Sequence, residues 1–377
     1  MISSKILYHK NNKIDPAYFI THSKINTLKN ELLDSSVSTV IFDNELSPAQ
    51  HKNIEKELEV KVIDRTQLIL DIFALHANTR ESKIQVELAQ LNYLLPRLKG
   101  KGSQMSRLAG GIGTRGPGES KLEVDRRRIE KKIHRLKQKM KNVQKVRENQ
   151  RKNRTDPLIV LVGYTNAGKS TLMNLLTEAN TEVADKLFAT LDSTLRSMTL
   201  PVGKKVILSD TVGFINRLPH QLVASFKSTL EEVKNAQLLL HVIDISQQEI
   251  EKKIKVVNNV LSDINADHKK TVNIFNKSDL VSREKINKIQ TLFPDSMVIS
   301  AQNSQSRDKI IQKLNSIIKD SMNQVEINLP YQKAHLVEQI YNEGSVFKEK
   351  YLKNYIFIKA LVSKKMADIL SPYRLKN

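Results

Sequence analysis

The chain of 377 residues contains no cysteine, which excludes disulfides and thiolate–metal centres outright. It also lacks any apolar run approaching the roughly 18 residues that a bilayer-spanning helix needs. Its opening, MISSKILYHKNN, holds no hydrophobic stretch long enough for a signal peptide or an anchor. No stretch reads as a long disordered tail. These absences lead us to expect a cytoplasmic protein with no membrane span, and at most a peripheral association with a larger assembly or a membrane. We take it as a monomer. Hydrophobic residues make up 40%, enough for real cores, and the length suits two or three domains.

What the chain has in excess is positive charge: 61 basic against 40 acidic residues, a net +21. A charge that large attracts polyanions, and RNA is the commonest polyanion in a cytoplasm. A basic proteome would spread such an excess evenly. Here Glu119 to Arg154 carries 15 Lys or Arg and 5 Asp or Glu, so 36 residues hold +10 of the +21. That concentration favours a dedicated RNA-facing segment.

Four regions follow along the chain. Thr39–Asp43 and Val60–Asp64 are short β-rich runs separated by a helix that Ser47, Pro48 and Gln50 are suited to start through a capping box. Next, Ile84, Leu88, Leu91, Leu95 and Leu98 repeat at 4-3-4-3 spacing, as do Ile129, Ile133, Leu136, Met140 and Val143. Two such seams predict an antiparallel helical hairpin whose stripes bury each other. The loop between them, 110–118, contains a literal GxGxxG. No strand leads into it, so the dinucleotide reading fails; a glycine-rich tip on a basic hairpin suits close approach to RNA. Gly111, Gly113, Arg115 and Gly116 of this loop, with Arg126, Arg127 and Arg128 beyond it, are the candidate RNA-binding residues. From Asp156 strands and helices alternate, which predicts a mostly parallel sheet with helices on both faces. After Val325 one helix-like stretch, Lys333–Tyr341, and one strand-like stretch, Tyr355–Val362, form a small α/β appendage. The expected organisation is therefore 1–154 (an α/β subdomain to about 68, then the basic hairpin), 155–322 and 323–377.

Gly163, Tyr164, Thr165, Asn166, Ala167, Gly168, Lys169 and Ser170 match GxxxxGKS between an apolar strand and the helical Thr171–Leu176, the context a phosphate-binding loop requires. Backbone N–H groups and the helix N-terminus would cradle phosphates, Lys169 would reach the β- and γ-phosphates, and Ser170 would ligate Mg²⁺. Asn276, Lys277, Ser278 and Asp279 end another apolar run. The Asp279 carboxylate can accept both N–H donors of guanine, a pair that adenine lacks, and Ser300, Ala301 and Gln302 would back the base. Asp210, Thr211, Val212 and Gly213 fit DxxG, with Asp210 holding Mg²⁺ through water and Gly213 meeting the γ-phosphate. Within Phe188, Ala189, Thr190, Leu191 and Asp192, Thr190 is the candidate switch threonine and Mg²⁺ ligand; Thr194 rivals it on spacing. Phe214 stands where Ras-type enzymes carry a water-orienting glutamine, so hydrolysis by the chain alone should be slow. Asn166 either helps hold K⁺ beside the phosphates or only shapes the loop. The reading is a P-loop GTPase that binds GTP and GDP; a pure RNA-binding scaffold with a vestigial site is disfavoured by the intact Lys169, Ser170, Asp210 and Asp279.

Taken together these residues resemble the HflX family of translational GTPases, related to the Obg proteins. The resemblance extends to Asn44–Gln50, Asp64-Arg65-Thr66 with Leu68–Phe73, Gln85–Leu91, and 110–119 running into Asp125–Arg128, roughly residues 40 to 300. It implies binding to the large (50S) ribosomal subunit and its 23S rRNA, stimulation of GTP hydrolysis there, and separation of stalled or stressed 70S ribosomes. An assembly or hibernation factor using GTP as a timer is the alternative. Against that family the N-terminal part reads as short, lacking an opening strand and helix. Phe19–Lys24 replaces a glycine-rich turn, Ser193 a proline and Gln302 a lysine.

Overall fold

The computed structural model describes residues 6–8, 14–33, 36–98, 121–152, 154, 156–178, 194–211, 213–214 and 227–375. The chain divides into two compact units, 1–146 with 219–226, and 147–218 with 227–377.

In the first unit, α1 (His22–Leu33) precedes β1 (Thr39–Phe42), α2 (Pro48–Leu58) and β2 (Lys61–Asp64). β1 and β2 pair in parallel, as a crossover through α2 demands. The capping box forms as the sequence foretold. Ser47 Oγ accepts from the Gln50 amide at 3.2 Å, Gln50 Oε1 accepts from the Ser47 amide at 3.0 Å, and Pro48 opens the helix. Ile25, Leu46, Ile54, Leu58 and Val62 make the core. The missing opening helix is a correction: α1 is present and contributes Ile25. It was illegible because HSKINTLKNELL presents only a narrow apolar stripe.

Two further helices, α3 (Arg65–His76) and α4 (Arg80–Leu98), lead to the 32-residue α5 (Lys121–Lys152). The expected division at about 68 falls inside α3. Asp64 is the knot of this region. Its fully buried carboxylate caps α3 through the Gln67 amide (2.8 Å) and accepts from the Leu46 amide (3.1 Å) and from Arg97 Nη2 (3.1 Å). Arg97 also donates to the Leu46 carbonyl at 2.8 Å and lies 3.4 Å over the Tyr93 ring. Such a buried charge is tolerable only because it is paired and hydrogen-bonded.

The two seams meet: Ile84, Leu88 and Leu91 share a cluster with Leu136 and Met140, and Lys132 pairs with Glu87. Yet α4 is more than half of a two-helix seam. Gln85, Val86, Ala89 and Tyr93 are also buried, and α4 packs on α3 and α2. On α5 most basic side chains are exposed, although Arg126 pairs with Glu130 at 2.8 Å and Arg128 with Asp125 at 3.8 Å. Exposed pairs of this kind hold weakly, by about 0–1 kcal/mol, and yield readily to a better anion. The glycine-rich loop, with Gly111, Gly113, Arg115 and Gly116, lies outside the described residues.

The second unit is built on a six-stranded sheet. Its strands are β3 (Leu158–Gly163), β4 (Thr194–Thr199), β5 (Lys205–Asp210), β6 (Leu238–Asp244), β7 (Thr271–Asn276) and β8 (Met297–Val298), in the order β4-β5-β3-β6-β7-β8. All neighbours are parallel except β4 on β5. β3 and β6 are buried along their whole length, as central strands of a parallel sheet covered on both faces must be. The helices are α6 (Lys169–Thr177), α7 (Lys227–Asn235), α8 (Ile250–Asp263), α9 (Arg283–Leu292) and α10 (Gln305–Asp320). Edge strand β4, TLRSMT, was not foreseen: half-exposed and polar, it has no apolar run to mark it.

From Asn323 a second sheet forms, antiparallel and three-stranded: β9 (Asn323–Pro330), β10 (Ser345–Tyr351) and β11 (Tyr355–Val362), ordered β10-β11-β9. One face packs on α11 (His335–Glu343) and α12 (Lys364–Ile369) through Ile327, Leu329, Ile340, Ile356, Ile358 and Met366. Among the described residues no helix is long and apolar enough to cross a membrane.

Candidate functional site

The buried strand β3 ends at Gly163, whose φ is +154°. A β-carbon there would lie 2.2 Å from the Val242 carbonyl oxygen of β6, so only glycine lets the chain leave the sheet at this point. The loop turns through Asn166 at φ +60°, a conformation in which asparagine is enriched, and Gly168 at φ +90° before α6 begins at Lys169. The geometry of Asn166 accords with a loop-shaping residue.

Four segments converge on this loop. Phe214 is the first. Its amide donates to the Gly163 carbonyl (3.0 Å) and its carbonyl accepts from the Thr165 amide (2.9 Å), while its side chain is 3% exposed. It is a packing residue that pins the 210–214 segment to the loop, and it offers nothing to orient water. Gly213 is held so close that a β-carbon would meet Thr165 at 2.8 Å and Lys169 Nζ at 3.0 Å. Thr211 Oγ1 donates to the Leu161 carbonyl at 2.8 Å.

Asp210 is the second: its Oδ2 accepts from Ser170 Oγ at 2.7 Å. A hydroxyl and a carboxylate side by side are the hard oxygen donors that suit Mg²⁺. Lys169 is buried beside them and donates to the carbonyls of Gly163 (3.2 Å) and Tyr164 (3.0 Å). Burial pushes its ammonium down to about 8, with Asp210 pulling the other way.

The third is Asn276, at the end of β7. Its Nδ2 donates to the Ala167 carbonyl (3.0 Å) and its Oδ1 accepts from the Ala301 amide (2.8 Å), so one side chain ties the phosphate loop to the 300–302 loop. Lys277, at φ +65°, reaches back to Asp244 Oδ2 at 2.9 Å. Asp244 also accepts from the Ser246 amide and hydroxyl. Burial raises its pKa, but these bonds and Lys277 outweigh that and hold it below the usual carboxylate range. Asp279 stands exposed on the short turn Ser278–Leu280, and the Ser278 amide donates to the Ile299 carbonyl (3.1 Å). Gln302 is exposed at the mouth of the 300–302 loop, and its amide is 3.4 Å from Ser300 Oγ.

The sequence reading missed the fourth, His241 on β6, because a lone histidine in an apolar strand carries no motif. It is 2% exposed; burial and the nearby Lys169 depress its pKa to about 4, against a bond with Asn273. A neutral imidazole here avoids placing a second cation near Lys169. Beside it a cavity of about 160 Å³ borders the loop, lined by Asn166, Ala167, Asp244, Lys253 and Val257 among others. Between pH 6.5 and 4 the unfolded chain binds a proton at this histidine and the folded chain does not. Stability should therefore fall as pH drops through that window, by up to about 1.4 kcal/mol per pH unit. Urea titrations at pH 7, 6 and 5 should show a shallower loss for His241→Gln than for the parent; parallel losses would refute the assignment.

Phe188, Ala189, Thr190, Leu191, Asp192 and Val212 lie outside the described residues. Of the other residues expected at the nucleotide site, the contacts above join Gly163, Tyr164, Thr165, Ala167, Lys169, Ser170, Asp210, Gly213, Asn276 and Ala301. Thr194, the rival to Thr190, begins β4 opposite Asp210 and is exposed.

Three family profiles match the chain: a GTP-binding GTPase N-terminal region at residues 3–74, a GTP-binding GTPase middle region at 76–154, and a 50S ribosome-binding GTPase at 158–277. The GTPase HflX of Caldanaerobacter subterraneus is 46% identical over 361 residues, covering 95% of this chain and 83% of the relative. The GTPase HflX of Escherichia coli K12 is 42% identical over 339 residues, covering 89% and 80%. A GTP-binding protein from the archaeon Sulfolobus solfataricus, crystallised with GDP, is 27% identical with a TM-score of 0.43, covering 81% of this chain and 89% of that one. The three regions match in order along the chain, and relatives more than 40% identical cover most of it; the chain is a member of the HflX family of GTPases.

Proposed function

We propose that this chain is a ribosome-associated GTPase that engages the large subunit through its basic hairpin and separates stressed 70S ribosomes into subunits. The observation that carries the reading is the pairing, on one chain, of a nucleotide loop braced from four sides with a long helix whose basic side chains stand in solvent.

In this reading the amides of 164–168 and the start of α6 hold the phosphates, and Lys169 turns from its carbonyl partners to the β- and γ-phosphates. Ser170 and Asp210 would hold Mg²⁺, with Thr190 joining when triphosphate is present; the ion neutralises charge that develops on the phosphates. Gly213 presents its amide to the γ-phosphate. Asp279 reads guanine, with Ala301 and Gln302 backing it. Phe214 leaves position 214 without a water-orienting side chain, so turnover depends on what the ribosome supplies. Arg126, Arg127 and Arg128, and the glycine loop before them, meet rRNA.

GTP turnover by the parent, with and without large subunits, tests this. Large subunits should accelerate it, and deleting 110–118 should abolish the acceleration while leaving the slow intrinsic rate. The logarithm of subunit affinity should fall linearly with the logarithm of salt concentration, with a slope of about 0.7–0.9 per phosphate neutralised. Failure of large subunits to stimulate the parent would sink the reading. Light scattering of 70S ribosomes separates the activities: a fall on adding the protein with GTP supports splitting, and none would favour an assembly or hibernation factor.

A further inference from the structure

The three-stranded sheet at the C-terminus has no part in the site above, yet its edge has an unusual surface. β10 and the turn to β11 read Phe347-Lys348-Glu349-Lys350-Tyr351-Leu352-Lys353-Asn354-Tyr355. β10 is an edge strand of the sheet, with no further strand paired to it among the described residues. Phe347 is 52% exposed, Tyr351 66%, and the neighbouring Tyr341 on α11 54%. Lys348, Lys350 and Lys353 are exposed among them.

Register sorts these side chains. Lys348 and Lys350 lie opposite Lys359 and Phe357 of β11, on the face turned away from α11 and α12. Tyr351 lies opposite the buried Ile356, so it rises on the helix-covered side, where Tyr341 also stands. A register shift between Val346 and Lys348 leaves Phe347 unpaired at the edge. The one acidic group of the stretch, Glu349, is engaged: Tyr341 Oη donates to its Oε2 at 2.6 Å, and its charge also acts on the Tyr351 phenol. Both phenols are consequently pushed above their usual range. Tyr331 Oη, next to them, donates to the Leu352 carbonyl at 2.7 Å. The acid is engaged in holding the Tyr341 ring, and the cations are left to solvent.

Lysines on an edge strand are by themselves a common device against unwanted strand pairing. Exposed Phe and Tyr do not serve that purpose, since they invite association. Fixed aromatic faces alternating with lysines are what a single-stranded nucleic acid uses: bases stack on the rings whatever their sequence, and phosphates meet the cations. A protein partner docking by apolar contact would leave three lysines buried and unpaired.

We propose that the β10 edge is a platform for single-stranded or looped RNA, with bases on Tyr351, Tyr341 and Phe347 and phosphates on Lys348, Lys350 and Lys353. It rests on the ribosome reading only for which RNA is bound, and it makes the C-terminal sheet a second RNA contact separate from the helical hairpin.

The test uses the full chain carrying Arg126→Gln, Arg127→Gln and Arg128→Gln, so that the hairpin contributes less, and a fluorescent oligouridylate. Tyr341→Ala with Tyr351→Ala should weaken binding at least about tenfold. Tyr341→Phe with Tyr351→Phe keeps the rings and should bind as the background does. Lys348→Ala with Lys350→Ala should flatten the dependence of log K on log salt by about 1.4. All of these side chains are exposed, and matching melting temperatures would show that the fold is kept. Unchanged affinity in the alanine pair, or an equal loss in the phenylalanine pair, would overturn the proposal. So would loss of large-subunit binding by the alanine pair with oligouridylate binding intact, which would assign the surface to a ribosomal protein. If the parent fails to sediment with large subunits while these oligouridylate effects hold, the ribosome reading falls and this one stands.

Discussion

Replacing Asp279 with asparagine should lower affinity for GDP on the order of 10⁴-fold while leaving the folded protein as stable as the parent. The side chain is exposed on a short turn, so the substitution removes no packing. Guanine presents two adjacent N–H donors, and a carboxylate accepts both at once. Asparagine turns one acceptor into a donor, which sets N–H against N–H. A site built on such a pair rejects a partner that lacks it by about 10⁴-fold or more. The same change creates a match for xanthine, whose 2-oxo group accepts where guanine donates. Titration of the parent and of Asp279→Asn with GDP and XDP settles it: unchanged GDP affinity would mean that the base is read elsewhere.

The second large effect is on folding. Gly163→Ala should cost about 4 kcal/mol, combining overpacking of about 1–3 with backbone strain of about 1–3 kcal/mol. The added carbon would meet the Val242 carbonyl oxygen at 2.2 Å, and that oxygen belongs to a central strand that cannot retreat. Gly203→Ala is the natural control. Its φ of +81° is also strained for alanine, but its nearest neighbour is Ser345 Oγ at 3.5 Å, ordinary contact. Urea midpoints should therefore separate the two variants clearly. Equal midpoints would show that the clash is relieved.

Motif-bearing parts of the site were legible because phosphate and guanine recognition impose residue type and spacing together. Gly163, Gly168, Lys169, Ser170, Asp210 and Asn276 all fall where such chemistry requires, and Ser47, Pro48 and Gln50 start a helix as their types dictate. Groups that brace the site without touching a ligand were not legible. Asp244 receives Lys277, and His241 stays neutral near Lys169, but each depends on which strands become neighbours in the sheet. Charge concealed other elements. β10 carries Lys, Glu and Lys in its centre, and β4 is polar throughout, so neither announces itself by an apolar run. β9 does alternate, with Val325, Ile327 and Leu329 turned inward, but it lies beyond the last motif, and its alternation is interrupted by no residue that carries chemistry.

The long helix α5 is gripped over a small part of its length. Its 32 residues make a rod about 48 Å long. Its buried side chains among the described residues are Ile133, Leu136 and Met140, two turns in all, or about 11 Å. A rod clasped near its middle is a lever. With its start roughly 18 Å from Ile133, a tilt of about 10° at the clasp moves that end by about 3 Å. Because α4, the helix that forms the clasp, is also packed on α2 and α3, such a tilt loads the small parallel sheet beside it as well. Force applied where its charges project therefore acts on the clasp through an arm longer than the clasp itself.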